Sequence, residues 1–101
     1  MIKVNSEKAK AIVRARFKRQ RADAVAAITV TTARGWTFDG DEQSQTRMAR
    51  SIAAMEDGET ITWVLADNSP ADVTREELCE ALRLAGASQA ALWVADGAAQ
   101  P

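Results

Sequence analysis

From Ser6 to Ala27 the chain runs without a single Gly or Pro and is rich in Ala, Lys and Arg. All three favour the helix, so this stretch is predicted to form one long helix before any strand begins. At 100° per residue, Ala9, Val13, Phe17, Gln20, Ala24 and Ala27 fall on one stripe, while Lys8, Lys10, Arg14, Lys18, Arg19 and Arg21 lie off it. The 4-3-4-3 spacing of Val13, Phe17, Gln20, Ala24 and Ala27 is also the seam spacing of a helix that pairs with other helices. Two destinations for the stripe are therefore open: the chain's own sheet, which two short heptads favour, or another chain. Val13, Phe17, Gln20 and Ala24 are the candidate protein interface.

The same segment divides the charge. Residues 1–26 hold eight Lys or Arg against Glu7 and Asp23, and the remainder holds five against twelve acids, although the whole chain sums to −1. A basic helix beside an acidic body suits nucleic acid, a neighbouring subunit or its own domain's acidic surface. Lys8, Lys10, Arg14, Lys18, Arg19 and Arg21 are thus the candidate contacts of an alternative, nucleic-acid-binding reading. The acidic body would repel the same polymer.

Beyond Ala27 the period changes. Ile28 to Thr32 alternates β-branched residues, Trp36-Thr37-Phe38 alternates aromatic with polar, and Ala33-Arg34-Gly35 between them supplies a loop whose last position accepts positive φ. A β-hairpin is predicted, with Ile28, Val30, Trp36 and Phe38 inward and the threonines outward. Asp41 is placed to cap a helix over residues 41–55 marked by Met48, Ile52 and Met55. A strand follows over 59–66 with Ile61, Trp63 and Leu65 on one face. Asp67-Asn68-Ser69-Pro70 is a turn, and a very short strand at 71–73 would make a second hairpin. Thr74 and Glu77 have capping-box spacing at the start of the last helix, whose buried side is read as Leu78, Leu82, Ala85, Leu92 and Trp93. That helix is expected to pass through Gly86 and to end before a flexible tail at 96–101.

The expected fold is α+β: a basic helix, a hairpin, a helix, a third strand and a C-terminal helix, with a small antiparallel sheet covered by helices on one face. At 101 residues this is one domain, 1–95, in which helix 1–27 leads into a core over 28–95. The longest apolar runs, such as Ala90 to Ala95, fall far short of the ~20 residues that span a bilayer. The N-terminus carries charge where a secretory signal would be apolar, so no export and no membrane partner are predicted.

Catalytic vocabulary is sparse. The chain has no histidine and one cysteine, Cys79, which rules out a disulfide or thiolate cage within one chain and removes the commonest general base. No phosphate-cradling or nucleophile-elbow motif occurs. Asp39-Gly40-Asp41-Glu42 lacks the spacing of a calcium loop and is read as turn and cap. Asp67, Asn68 and Asp72 are read as turn residues, Cys79 as a partly buried packing thiol, and Trp36, Trp63 and Trp93 as core or interface anchors. No catalytic residue, metal or cofactor is assigned.

An ordered set of short motifs points further: Ile28-Thr29-Val30 entering a hairpin, Phe38-Asp39-Gly40-Asp41 with Ser44-Gln45 opening a helix, then Ile61-Thr62-Trp63 followed by Ala66-Asp67. Over residues 10–95 the chain resembles a domain of unknown function carried by tail-fibre and tail-associated proteins of bacteriophages and prophages. It departs from that pattern at Asn68-Ser69-Pro70, where a simple Asp-Gly turn is commoner. The resemblance implies a charged helix ahead of the hairpin and no catalytic residues. It also implies a non-enzymatic structural or assembly module acting through protein contacts, its partners being other copies of itself and other tail components. A homo-oligomer in the cytoplasm of the bacterial host or in the virion tail follows as the expectation.

Overall fold

The computed structural model describes the backbone of residues 6–99 and the side chains of residues 15, 16 and 18–94. The elements follow the α+β order: α1 (Ser6–Ala26), β1 (Thr29–Thr31), β2 (Thr37–Asp39), α2 (Glu42–Ala54), β3 (Thr60–Val64), β4 (Pro70–Thr74) and α3 (Arg75–Ala99). The strands pair as two separate antiparallel hairpins, β1 with β2 and β3 with β4. A single bond, from Ala66 N–H to Thr37 O at 3.0 Å, links one hairpin to the other. The strand after Pro70 is longer than the three residues expected, because Pro70 itself pairs with Val64 and Thr74 with Thr60.

The first hairpin closes as its residues dictate. Thr32 and Trp36 bracket the loop, with Thr32 N–H donating to Trp36 O at 3.0 Å, and Gly35 takes φ +92° where a side chain would be strained. Ile28, Val30 and Phe38 point into the core, and Trp36 is half-buried. Thr32 departs from the expected outward threonines: it is 4% exposed. It shares the even parity of Ile28 and Val30, so strand alternation sends it inward, where its hydroxyl meets Trp36 O at 3.4 Å.

Gly40 follows β2 and is buried. A Cβ there would lie 2.6 Å from Ile28 Cγ2 and 3.1 Å from Ala85 Cβ, so the bare backbone is what lets the hairpin meet α3. Asp41 stands at the N-cap of α2 but makes no side-chain bond to the helix backbone. Its carboxylate instead accepts from the Ser44 hydroxyl.

The core gathers on α3. Leu78, Ala81 and Ala85, spaced three and four apart, are fully buried together with Phe38, Met48 and Val73. Leu82 and Leu92 flank this stripe, half-buried, whereas Trp93 is 51% exposed and so leaves the buried side assigned to it. Thr74 caps the helix by accepting from Glu77 N–H at 3.1 Å, while the Glu77 carboxylate turns to the first hairpin. There Arg34 Nη1 donates to Glu77 Oε1 at 2.7 Å, and Ala33 N–H donates to Glu80 Oε2 at 2.8 Å. The Arg34 guanidinium also lies 4.3 Å from the centre of the Trp36 ring. The helix continues through Gly86, around whose Cβ position there is open space, and reaches Ala99. Residues 96–99, expected in a flexible tail, are therefore helical, since nothing from Ala87 to Ala99 breaks the hydrogen-bonded ladder; residues 100 and 101 lie outside the described ones.

Candidate interaction surface on the first helix

Two contacts fix how α1 meets the body. Near its C-terminal end, Ile28 shares the Gly40 contact with Ala85, and further toward its N-terminus Arg21 lies over Trp93 at 5.4 Å from the ring centre. Positions thus fall along α1 as they rise along α3, so the helices run antiparallel. At 1.5 Å per residue, the helical residues before Arg21 cover about 22 Å and those of α3 after Trp93 only about 9 Å. The N-terminal part of α1 consequently outruns its neighbour. The overall extents of 69 × 22 × 22 Å accord with such an overhang.

The face that α1 turns inward differs from the stripe expected to be buried. Val25 is buried and Arg21 half-buried, and both sit about 100° around the helix from the line through Gln20 and Ala24. Gln20 and Ala27 are exposed and Ala24 is half-buried. At these positions the body takes a neighbouring face of α1, the one that lines a groove with Trp93 of α3 and the start of α2. The side chains of Val13 and Phe17 lie outside the described residues.

The candidate cations separate in the same way. Lys18 and Arg19 are exposed, and Arg21 is held at Trp93. Lys8, Lys10 and Arg14 have side chains outside the described residues. Lys18 and Arg21 line a groove of about 350 Å³ whose opposite wall carries Asp41 and Glu42 at the start of α2. Basic helix and acidic body therefore meet within one chain, which lowers the potential available to an external phosphate.

The remaining chemistry-bearing residues are spread out. Among the described residues, no group of His, Cys, Asp and Glu is placed to hold a metal ion, and no helix is long and apolar enough to cross a membrane. Cys79 is half-buried near the start of α3. Asp67 accepts from the Ser69 hydroxyl at 2.5 Å and from Ser69 N–H at 3.0 Å, and these bonds hold its carboxyl below the ordinary carboxylate range. Asn68 takes φ 66° in the same turn. Neither the meeting of Gly40 with Ala85 nor the Arg34–Glu77 clasp is signalled by residue order, since each joins residues more than forty positions apart.

No curated protein and no solved structure matched the chain. Residues 8–98, nearly its whole length and including every element after the first turn of α1, match a family described as a domain of unknown function. The chain belongs to that family, DUF4376.

Proposed function

We propose that this domain is a non-enzymatic structural or assembly module of bacteriophage and prophage tails, acting through protein contacts, with α1 joining copies of the chain. The observation that supports it is the orientation of α1: Gln20 of its heptad-spaced line is exposed, and the buried contact with the body falls on Val25, one position around the helix from half-buried Ala24. A helix that overhangs its own domain and carries a seam on its free side is suited to pairing with the same helix of another copy. The tail setting is supported by the family match and by the ordered motifs from Ile28 to Asp67. In that reading the protein acts in the host cytoplasm during assembly or in the virion tail.

Sedimentation tests the self-association. The wild-type chain is expected to run above monomer mass, and Phe17→Asp, which sets a charge in the seam, is expected to remove the contact made through α1 and lower that mass. A chain that stays monomeric at high concentration removes α1 as the joining element. The exposure of Lys18 and Arg19 favours a second reading, a small nucleic-acid-binding or regulatory protein. Binding to DNA or RNA that falls steeply between two salt concentrations would support it, and absence of binding at low salt would end it. Adjacency of the coding sequence to tail genes favours the first reading, and adjacency to a repressor or replication gene the second.

A further inference from the structure

The hydrogen-bond parity of the second hairpin leaves one strand edge open. Leu65 N–H donates to Ser69 O at 2.8 Å, and Arg75 N–H donates to Glu59 O at 3.3 Å. With Ile61 opposite Val73 and Trp63 opposite Ala71, the odd-numbered residues of β3 therefore direct their backbone groups toward β4. Even-numbered residues direct theirs away. Ala66 obeys this parity, since its N–H reaches Thr37 O on the outer side. The rest of that edge belongs to Thr60, Thr62 and Val64, all exposed and, among the described residues, without a backbone partner on that side.

The other edges offer less. The outer edge of β4 carries Pro70, which has no N–H, and the charge of Asp72; β1 is three residues long, with outward backbone groups only at Thr29 and Thr31, and on β2 Thr37 O already accepts from Ala66 N–H. The β3 edge has neither proline nor charge from Thr60 to Ala66.

We propose that this edge pairs, antiparallel, with the same edge of a second copy about a two-fold axis through Thr62. In that register Thr62 exchanges both backbone bonds with the partner's Thr62, and Thr60 does so with the partner's Val64, using every open group on the edge. Centring the axis on Ile61 or Trp63 would leave one outward residue unpaired. Charges agree with the register, because Glu59 faces the partner's Leu65 and no like charges oppose one another. Apolar surface agrees too: Ile61, 36% exposed, comes opposite the partner's Trp63. Gly58, at φ +83°, turns the partner's chain away before it reaches Ala66, whose outer side Thr37 already occupies. This interface is independent of α1 and would be present in a chain whose helix seam is broken.

The test uses the full chain carrying Phe17→Asp and Cys79→Ser, so that neither α1 nor the native thiol contributes. Adding Thr62→Cys should give a disulfide-linked dimer on oxidation, since directly paired residues have Cα atoms about 5.5 Å apart, within disulfide reach. Adding Thr60→Cys should not, because the two copies of that position lie about 13 Å apart along the paired strands. Failure of Thr62→Cys to link, or equal linking by Thr60→Cys, overturns the proposal while leaving the α1 reading untouched. In the Phe17→Asp chain, Thr62→Lys sets two ammonium groups face to face on the axis and should weaken self-association about tenfold with an unchanged circular dichroism spectrum. Unaltered association overturns the proposal, as does a Phe17→Asp chain that stays monomeric and pairs only with a foreign strand.

Discussion

The first hairpin has three-residue strands and the second five-residue strands, yet the shorter one is the better anchored. Val30, Phe38, Ile28 and Thr32 of the first are all buried, its backbone touches α3 at Gly40, and its loop is held by Glu77 and Glu80. In the second, Val73 is the fully buried strand residue, while Thr60, Ile61, Thr62 and Val64 are exposed. Ladder length and anchoring are thus separate properties. The first hairpin is stabilised by what its side chains bury, the second mainly by its own cross-strand pairs. The clasp completes the first only in part, since Glu77 Oε2 is buried without a hydrogen-bond partner among the described residues. The difference leaves the second hairpin with an edge free for other work.

Truncating one residue in each hairpin is the sharpest test of that contrast. Phe38→Ala should cost about 3–5 kcal/mol, through lost burial and the cavity left behind, whereas Val64→Ala should stay within about 0.5 kcal/mol. Urea unfolding measures both, and comparable losses would show the second hairpin to be anchored after all. For a domain whose whole stability is of the order of 5–15 kcal/mol, the first change alone threatens folding.

Glycine substitutions sharpen the comparison with opposite signs. Gly40→Ala forces a methyl group against Ile28 and Ala85 and should destabilise by about 1–3 kcal/mol. Gly86→Ala meets open space inside α3 and should stabilise by up to about 1 kcal/mol. Thermal unfolding would reveal the pair as a fall and a rise in Tm; two falls would mean that α3 is packed more tightly around Gly86 than the structure shows.

The smallest effect concerns the turn of the second hairpin. Ser69→Ala removes the hydroxyl that does most to lower the Asp67 pKa, so that pKa should rise toward 3.8 in an NMR titration. A depressed folded-state pKa contributes stability that is present above the unfolded value of 3.8 and is lost as pH falls through the folded value. Acid unfolding of wild type should therefore be slightly more sensitive to this turn than that of Ser69→Ala. An unmoved Asp67 titration would transfer the effect to the Ser69 backbone N–H.

How much of this was legible in the amino-acid order follows from how far each feature reaches along the chain. The hairpin loop at Gly35, the Asn68 turn, the Thr74 cap and the continuation through Gly86 are settled by residues within a few positions of one another, and all were readable. Thr32 was misplaced because residue type was weighed above strand parity. Trp93 lies outside the core because it stands one position past half-buried Leu92 and turns its ring to Arg21, a partner from the far end of the chain that an aromatic residue type does not reveal. The candidate seam on α1 was legible as a spacing, but not as a direction.

Local physics thus determined the element order, the turn positions, the division of charge and the family to which the chain belongs. Tertiary structure decided which face of α1 meets α3, that the strands form two hairpins, and that Gly40 serves close packing as well as a turn. It also decided which strand edge is left open. Dihedral preference and side-chain periodicity act over a few residues and are written in the order of the chain. Shape complementarity and hydrogen-bond parity act between segments that the order alone does not bring together.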